Sequence, residues 1–292
     1  MSISHPTGTD FLRLCEEERL SGKAKKQEPF PMFKTPLPEL PPDWIWASLS
    51  KVCERVSVGH VGKTSPYFVE NDGVPFIRSQ DVRPGRLMLE NTAQISWEFH
   101  QKLTKSQLKS GDILVVRVGA NRGDVCVVPD NTGIINCANI VFARPMFPNG
   151  FLGYYLQSYL GHELLLSMTT GSAQGVINTH MIARMPIPIP PIPTQRKIAA
   201  ILSAYDDLIE NNTRRIALLE HTAQLLYREW FVHFRFPGHE SVPLVESELG
   251  AIPERWEVRT LGQFGKVITG KTPSKKVPEY YDNYMPFIKI PD

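Results

Sequence analysis

Residues 194–230 read TQRKIAAILSAYDDLIENNTRRIALLEHTAQLLYREW, and their spacing decides the fold. Apolar residues recur there at alternating intervals of four and three positions, the 3.5-residue period of helices that pair along a narrow seam. A helix of roughly 40 residues would be about 60 Å long. The sequence therefore predicts a long coiled-coil-type helix over residues 194–236, either paired with another helix or packed along its own domain. The seam positions are Ile198, Leu202, Tyr205, Ile209, Asn212, Ile216, Leu219, Ala223, Leu226 and Trp230.

Alternating prolines precede this helix. Residues 186–193 read PIPIPPIP. Proline fits neither a helix interior nor a central strand. We expect a stiff extended segment here, followed by a helix with Thr194 as its N-cap.

The beginning of the chain is repeated near its end. Residues 40–49 (LPPDWIWASL) match residues 252–261 (IPERWEVRTL), with Trp44 aligned on Trp256. Two more matches follow in the same order, 62–64 (GKT) with 270–272 and 75–78 (PFIR) with 286–289 (PFIK). The repeat is far longer than that of a solenoid. It indicates a duplicated domain, and we expect the second copy to be truncated soon after it begins.

The first copy, residues 34–193, mixes strand and helix patterns and predicts an α+β fold. β-Branched apolar runs bounded by Gly, Pro and Asn predict strands. Helices are predicted where apolar residues recur at intervals of three and four or where a Ser cap precedes a run. The predicted strands are 74–78, 112–118, 125–128 and 134–142, and the predicted helices are 96–108 and 152–164. We expect residues 1–33 to be a flexible or weakly helical extension and residues 237–251 to be a linker.

These segments resemble the specificity subunits of type I restriction–modification enzymes. The most specific part is the proline-rich lead-in joined to the helix, 188–202 (PIPPIPTQRKIAAIL) with 205–212 (YDDLIENN). Further similar segments are 111–114 with Arg117, Gly119 and Gly123, then 171–174, 182–188, 230–239 and the Pro-x-x-Trp start of each copy. The resemblance runs from about residue 34 to residue 292.

The resemblance implies two target-recognition domains, each reading one half of a split DNA site, held apart by two antiparallel helices. Residues 34–193 would be the first domain, 194–236 the helix that spaces the domains and binds partners, and 252–292 the start of the second domain. It also implies that methylation belongs to modification subunits that use S-adenosylmethionine. Cleavage would belong to a restriction subunit that uses ATP and Mg. This chain would hold no cofactor, and two half-length chains would pair as a homodimer.

Candidate DNA contacts are polar residues in loops that follow strands and helices. Lys beside a hydroxyl suits phosphate oxygens. Arg can take guanine O6 and N7, and Gln can take adenine N6 and N7. Each of these residues could equally sit in a solvated loop. The candidates are Lys63, Thr64, Arg78, Ser79, Gln80, Arg117, Asn121, Arg122, Thr170, Ser172, Gln174, Lys271 and Thr272.

Bulk composition favours no single partner. A net charge of +2 and a pI of about 8.3 are too small for DNA binding by overall charge alone, so contacts must depend on local placement of Lys and Arg. No apolar run reaches about 18 residues, and the N-terminal stretch has no secretory pattern, so we expect a cytoplasmic protein. The four cysteines form no CxxC pair and are expected to be buried thiols.

Two other functions stay open. One is a coiled-coil scaffold that binds only proteins. The other is an enzyme, either a methyltransferase or a nucleotide hydrolase built on residues 265–272, which match the phosphate-loop pattern GxxxxGK[ST]. A phosphate loop needs a helix after its last residue, and Pro273 and Pro278 make that helix unfavourable. The sequence also has no Asn-Pro-Pro-aromatic motif for amino-methylation, and its histidines have no carboxylate cluster at ligand spacing, so we expect no catalytic or metal site in this chain.

Overall fold

The computed structural model describes residues 7–18, 30–31, 36–147, 150–170, 175–274 and 276–281. By contacts between residues the chain divides into two units, Met1–Glu210 and Asn211–Asp292. Both helices and sheets are present, which confirms the α+β class.

The α-helices are α1 (Gly8–Glu18), α2 (Leu49–Val52), α3 (Trp97–Lys102), α4 (Phe151–Gln157), α5 (Tyr159–Ser167), α6 (Thr179–Ala183), α7 (Ile192–Tyr227) and α8 (Leu261–Phe264). The strands are β1 (Ile45–Ser48), β2 (Cys53–Val58), β3 (Phe68–Val69), β4 (Val74–Ile77), β5 (Val82–Arg83), β6 (Arg86–Leu87), β7 (Gln94–Ile95), β8 (Gln107–Leu108), β9 (Ile113–Val115), β10 (Val125–Val127), β11 (Ile135–Cys137), β12 (Val141–Pro145), β13 (Thr169–Thr170), β14 (Val176–Ile177), β15 (Pro186–Ile189), β16 (Leu244–Ser247) and β17 (Gly250–Pro253).

A four-stranded antiparallel sheet, ordered β10-β9-β12-β2, forms the centre of the first unit. Both of its faces are buried. Ile113 and Val115 pack into a core with α1, α2, α4, α5 and α6, whereas Leu114 and Val116 pack into a second core against β4, β8 and β11. Side chains of a strand alternate between faces, so a strand covered on both sides is apolar throughout. This explains the uninterrupted apolar run of residues 113–116.

A second sheet, ordered β3-β7-β4-β11-β8, lies against this one. Its β4 and β11 run parallel, with Phe76 opposite Asn136 and Ile77 opposite Cys137. The segment 134–142, predicted as one strand, is in fact two strands of different sheets with a turn at 138–140 between them. The chain changes sheets at this turn, and periodicity alone carries no signal for such a crossing.

The predicted helices are shorter than expected. Ser96 does cap α3, since its Oγ accepts a hydrogen bond from the Phe99 backbone N–H at 3.3 Å, but the helix ends at Lys102. The predicted helix 152–164 is divided at Ser158, whose Oγ caps α5 by accepting from the Gly161 N–H at 3.2 Å. The division leaves Tyr159 82% exposed, so Tyr159 does not belong to the apolar face that the spacing of residues 152–164 predicts.

The N-terminal stretch is more than a loose extension. Residues 8–18 form α1, and Phe11 and Cys15 are buried in the first core at 3% and 0% exposure. Lys51 adds an ion pair with Glu16 at 3.1 Å. Of the two alternatives expected for the extension, residues 8–18 follow the helical one, and the helix packs on the core because Phe11 and Cys15, one turn apart, bury a common face.

The proline-rich segment is extended, as predicted, and its strand β15 pairs antiparallel with β1 in a two-stranded sheet. A two-stranded sheet tolerates proline because each strand keeps one unpaired edge. Helix α7 begins at Ile192, so the prediction of Thr194 as its N-cap is wrong. Pro193 lies in the first turn, where its missing N–H costs nothing. Gln195, 1% exposed, donates from Nε2 to the Pro190 carbonyl at 2.9 Å.

The long helix predicted from the seam spacing is confirmed over the 36 residues of α7, and a π-helical turn continues it over Arg228–Val232. The seam residues from Leu202 to Leu226 are exposed, with Ile216 at 57% and Leu219 at 68%, whereas Ile198 is half-buried against the first core. In the second unit, β16 and β17 form a hairpin over residues 244–253. Most of this hairpin lies in the segment 237–251, which was expected to be a linker, and it ends at Pro253. Trp256 contacts a cluster of aromatic rings, namely Phe231, Phe234 and Phe236.

Membrane-spanning helices, metal sites and disulfide bonds would each be recognisable among the residues that the structure describes. No helix among them is both long and apolar enough to cross a membrane. No group of three or more His, Cys, Asp or Glu residues in that part of the chain is placed to hold a metal ion. The four cysteines are buried and unbridged, as predicted, and burial raises the pKa of the Cys126 thiol to about 12.

Candidate nucleic-acid interface

The turn at 138–140 is where several loops of the first unit meet. The Ala138 N–H donates to the Ile77 carbonyl at 2.8 Å, which places the end of β4 beside the turn. The His60 N–H donates to the Cys137 carbonyl at 2.9 Å, and the Gly59 N–H donates to Ile140 at 2.8 Å. These hydrogen bonds fix the loops after β2 and after β4 to this turn. The end of β4 lies here because β4 and β11 are parallel and end at the same edge of their sheet.

Gly59 makes the close approach of these segments possible. A Cβ at this position would lie 1.8 Å from the carbonyl oxygen of Ala138 and 2.6 Å from that of Cys137. Any other residue would push the loop carrying Lys63 away from the turn.

Arg78 leaves the end of β4 and is held by Asp81. Its backbone N–H donates to Asp81 Oδ2 at 2.7 Å, and its Nε lies 3.7 Å from the same oxygen. The guanidinium also lies over the Phe68 ring, 6.0 Å from the centroid. Burial raises the pKa of the Asp81 carboxyl, although the hydrogen bond from the Arg78 backbone opposes the shift. Ser79 and Gln80 follow in a 3₁₀ turn, with Gln80 exposed.

The turn after β9 carries two more of the predicted arginines. Arg117 donates from Nη1 to Asn139 Oδ1 at 3.2 Å, and its carbonyl accepts from the Ile177 N–H at 3.0 Å. Arg122 donates from Nη1 to the Gly175 carbonyl at 2.7 Å. This turn is therefore joined to the turn at 138–140 on one side and to the β13–β14 hairpin on the other.

All three arginines retain unused hydrogen-bonding capacity. The Nε atoms of Arg78, Arg117 and Arg122 are buried with no hydrogen-bond acceptor among the described residues. A buried N–H without a partner costs about 1–3 kcal/mol, so native proteins leave few of them. All three side chains are half-buried, and the positive charge of their guanidinium groups makes these neighbouring loops the candidate surface for an anionic ligand. We call Arg78, Arg117, Arg122, Asn139 and Lys63 the arginine cluster.

The other predicted contact residues have varied positions. Lys63 is exposed, and Thr64 and Asn121 are half-buried. Thr170 lies in β13, with its backbone paired to Val176, and Lys271 and Thr272 are exposed in an irregular segment of the second unit. Ser172 and Gln174 lie outside the described residues. Residues 276–281, the described part after Pro273 and Ser274, contain a turn and a 3₁₀ helix but no α-helix, so residues 265–272 do not have the setting of a phosphate loop.

Sequence reasoning missed Asp81 and Asn139, the residues that hold two of the arginines. Asn139 lies inside a run predicted as one continuous strand, where a polar residue has no special meaning. Asp81 three residues after Arg78 is a local signal that could have been noticed, since a carboxylate can accept from a backbone N–H three positions earlier.

Comparison with known proteins assigns this architecture to a family. The sequence profile described as "Type I restriction modification DNA specificity domain" matches residues 41–221, well over half of the chain. The chain belongs to this family. The match includes the whole arginine cluster and most of α7.

Two relatives of this specificity-domain chain are longer than the part that it matches. It is 27% identical over 266 residues to a Methanocaldococcus jannaschii protein named for the specificity subunit of the type I restriction enzyme MjaX. That match includes 88% of this chain and 61% of the relative. It is 29% identical to the HindI specificity subunit of Haemophilus influenzae, over 86% of this chain and 66% of the relative. The chain thus spans less than two thirds of the length of either relative.

Among solved structures, the chain is similar to the HsdS subunit from Thermoanaerobacter tengcongensis. The TM-score is 0.43 at 22% identity, over 77% of this chain and 51% of the other.

Proposed function

We propose that this chain reads DNA sequence for a type I restriction–modification enzyme and performs no chemistry itself. The observation that carries the proposal is the arginine cluster, in which Arg78 and Arg117 lie in loops hydrogen-bonded to the turn at 138–140 and Arg122 lies in the same turn as Arg117. Its position inside the family's DNA specificity domain supports DNA as the ligand.

The chemistry of the cluster suits base reading. Arginine presents a planar set of donors that matches guanine O6 and N7, and such a pair discriminates between bases by about 1–3 kcal/mol. Asp81 and Asn139 restrict the arginine side chains before DNA arrives, which lowers the entropic cost of binding. Exposed Lys63, and Lys271 with Thr272 in the second unit, are proposed phosphate contacts, which add affinity without sequence information.

We infer that α7 is the element that joins this chain to its partners. Its exposed seam suits a second helix, supplied either by a modification subunit or by another copy of this chain. Methylation with S-adenosylmethionine and cleavage with ATP and Mg are assigned to the partner subunits. The assembly would act in the cytoplasm, where it meets DNA. The proposed layout keeps residues 34–193 as the first recognition domain, 194–236 as the helix, 237–251 as the connection and 252–292 as the start of a second domain.

The same seam would also suit a scaffold that binds only proteins. Duplex DNA distinguishes the two functions, because phosphate contacts make affinity fall steeply as salt rises, whereas a scaffold has no affinity for DNA to lose.

Replacing Arg78 by alanine is expected to weaken binding to the preferred DNA sequence by about 1–3 kcal/mol and to relax the preference at one base position. The measurement is a titration of labelled duplexes that differ at single positions. Arg13→Ala is the matched control, since Arg13 is exposed on α1 outside the cluster. Unchanged base preference in Arg78→Ala would remove Arg78 from the reading surface.

A further inference from the structure

Asn139 is the only described side chain that accepts a hydrogen bond from the Arg117 guanidinium. Its Oδ1 lies 3.2 Å from Arg117 Nη1, while the buried Nε of Arg117 has no acceptor in the part of the chain that the structure describes. This single contact therefore sets the plane in which the remaining N–H groups of Arg117 point. A bidentate contact with a base requires that plane to match the base edge.

The backbone around Asn139 is fixed on both sides. Ala138 donates to the Ile77 carbonyl at 2.8 Å, Ile140 donates to the Ala138 carbonyl at 2.6 Å, and Ile140 accepts from Gly59 at 2.8 Å. Ile77 also directly precedes Arg78. A short turn held in this way is a rigid support for a side chain, and it connects the positions of two of the arginines.

We infer that Asn139 is a positioning residue that orients Arg117 and thereby sets which base Arg117 accepts. The inference rests on the proposed function, because it requires the arginine cluster to face DNA. Asn139 need not touch DNA itself. Its effect is on sequence preference, since nonspecific attraction to phosphates depends on charge and not on the guanidinium plane.

The test is to determine the base preference of the full 292-residue chain, bound to its modification subunit, by selection from random duplex DNA. Four variants are compared with the unchanged chain: Asn139→Ala, Arg117→Ala, the double variant and Asn139→Asp, which keeps the Oδ1 acceptor. We expect Asn139→Ala and Arg117→Ala to lose discrimination at the same base position by about tenfold. The double variant should lose no more than Arg117→Ala, because residues that act through one contact are not additive. Asn139→Asp should retain the preference.

Two further measurements separate this role from a structural one. The melting temperature and the affinity for unrelated DNA should be the same in Asn139→Ala as in Asn71→Ala, an exposed asparagine outside the cluster. The inference is overturned, and the proposed function is not, if the base preference survives Asn139→Ala or Arg117→Ala. The same holds if the two variants change the preference at different base positions. Additive losses in the double variant overturn the inference as well. If the unchanged chain selects no motif, that result contradicts the proposed function, and the inference with it.

Discussion

Replacing Asp112 by alanine is expected to lower the free energy of unfolding by about 3–5 kcal/mol, the usual cost of removing one partner from a buried ion pair. Asp112 is 1% exposed and accepts two hydrogen bonds from Arg144, at 2.8 Å from Nε and 2.7 Å from Nη2. It also accepts from the Lys109 backbone at 2.8 Å. The hydrogen bond to Asp112 raises the pKa of Arg144, so the guanidinium stays charged and would lose its counter-ion in the variant.

Urea denaturation of the variant measures this loss. Asp130→Ala is the matched control, since Asp130 is exposed and should change stability by no more than about 0.5 kcal/mol. The double variant Asp112→Leu/Arg144→Leu should recover most of the loss, because it removes both charges from the interior. A loss below about 1 kcal/mol for Asp112→Ala would show that the pair is hydrated and contributes little.

Replacing Ile216 by lysine is expected to break the assembly built on α7. Ile216 is a 57% exposed seam residue, and a charge placed in an apolar helix–helix interface costs on the order of 3 kcal/mol, which weakens association about a hundredfold. Light scattering on the chain purified with its modification subunit reads the mass directly, and the variant should run at the mass of separate components.

His221→Lys is the control for this experiment. His221 lies on α7 at the heptad position opposite the seam, so the same lysine should leave the mass of the assembly unchanged. Loss of assembly in both variants, or in neither, would contradict the placement of the partner along the seam.

The long helix could be predicted from sequence because a seam repeated every seven residues is a local and redundant signal. Helix α1 could not, because its buried face is short, with Phe11, Leu12 and Cys15, and the core that covers it comes from distant parts of the chain. The division of residues 134–142 into two strands could not be predicted either, for a related reason. Both resulting strands are apolar, and the turn between them is defined by hydrogen bonds to residues 59 and 77.

The candidate site was predicted in part. Arg78 and Arg117 follow strands and stood out as donors at strand ends, and the structure brings both to the turn at 138–140. The residues that accept hydrogen bonds from them, Asp81 and Asn139, differ in how easily the sequence could indicate them. Asp81 is three residues from Arg78, whereas Asn139 is 22 residues from Arg117 and meets it only because β9 and β12 are neighbours in the sheet. Long-range contacts of this kind depend on strand order, which a single sequence does not state.

Selection of bound sequences from a random duplex DNA pool tests the central claim most directly. The chain is purified with its modification subunit, and the selection is repeated at two salt concentrations. The proposed function predicts a short enriched motif, alone or as an inverted pair at fixed spacing, with weaker retention at higher salt. A stable protein complex that enriches no motif at either concentration would contradict sequence reading by this chain.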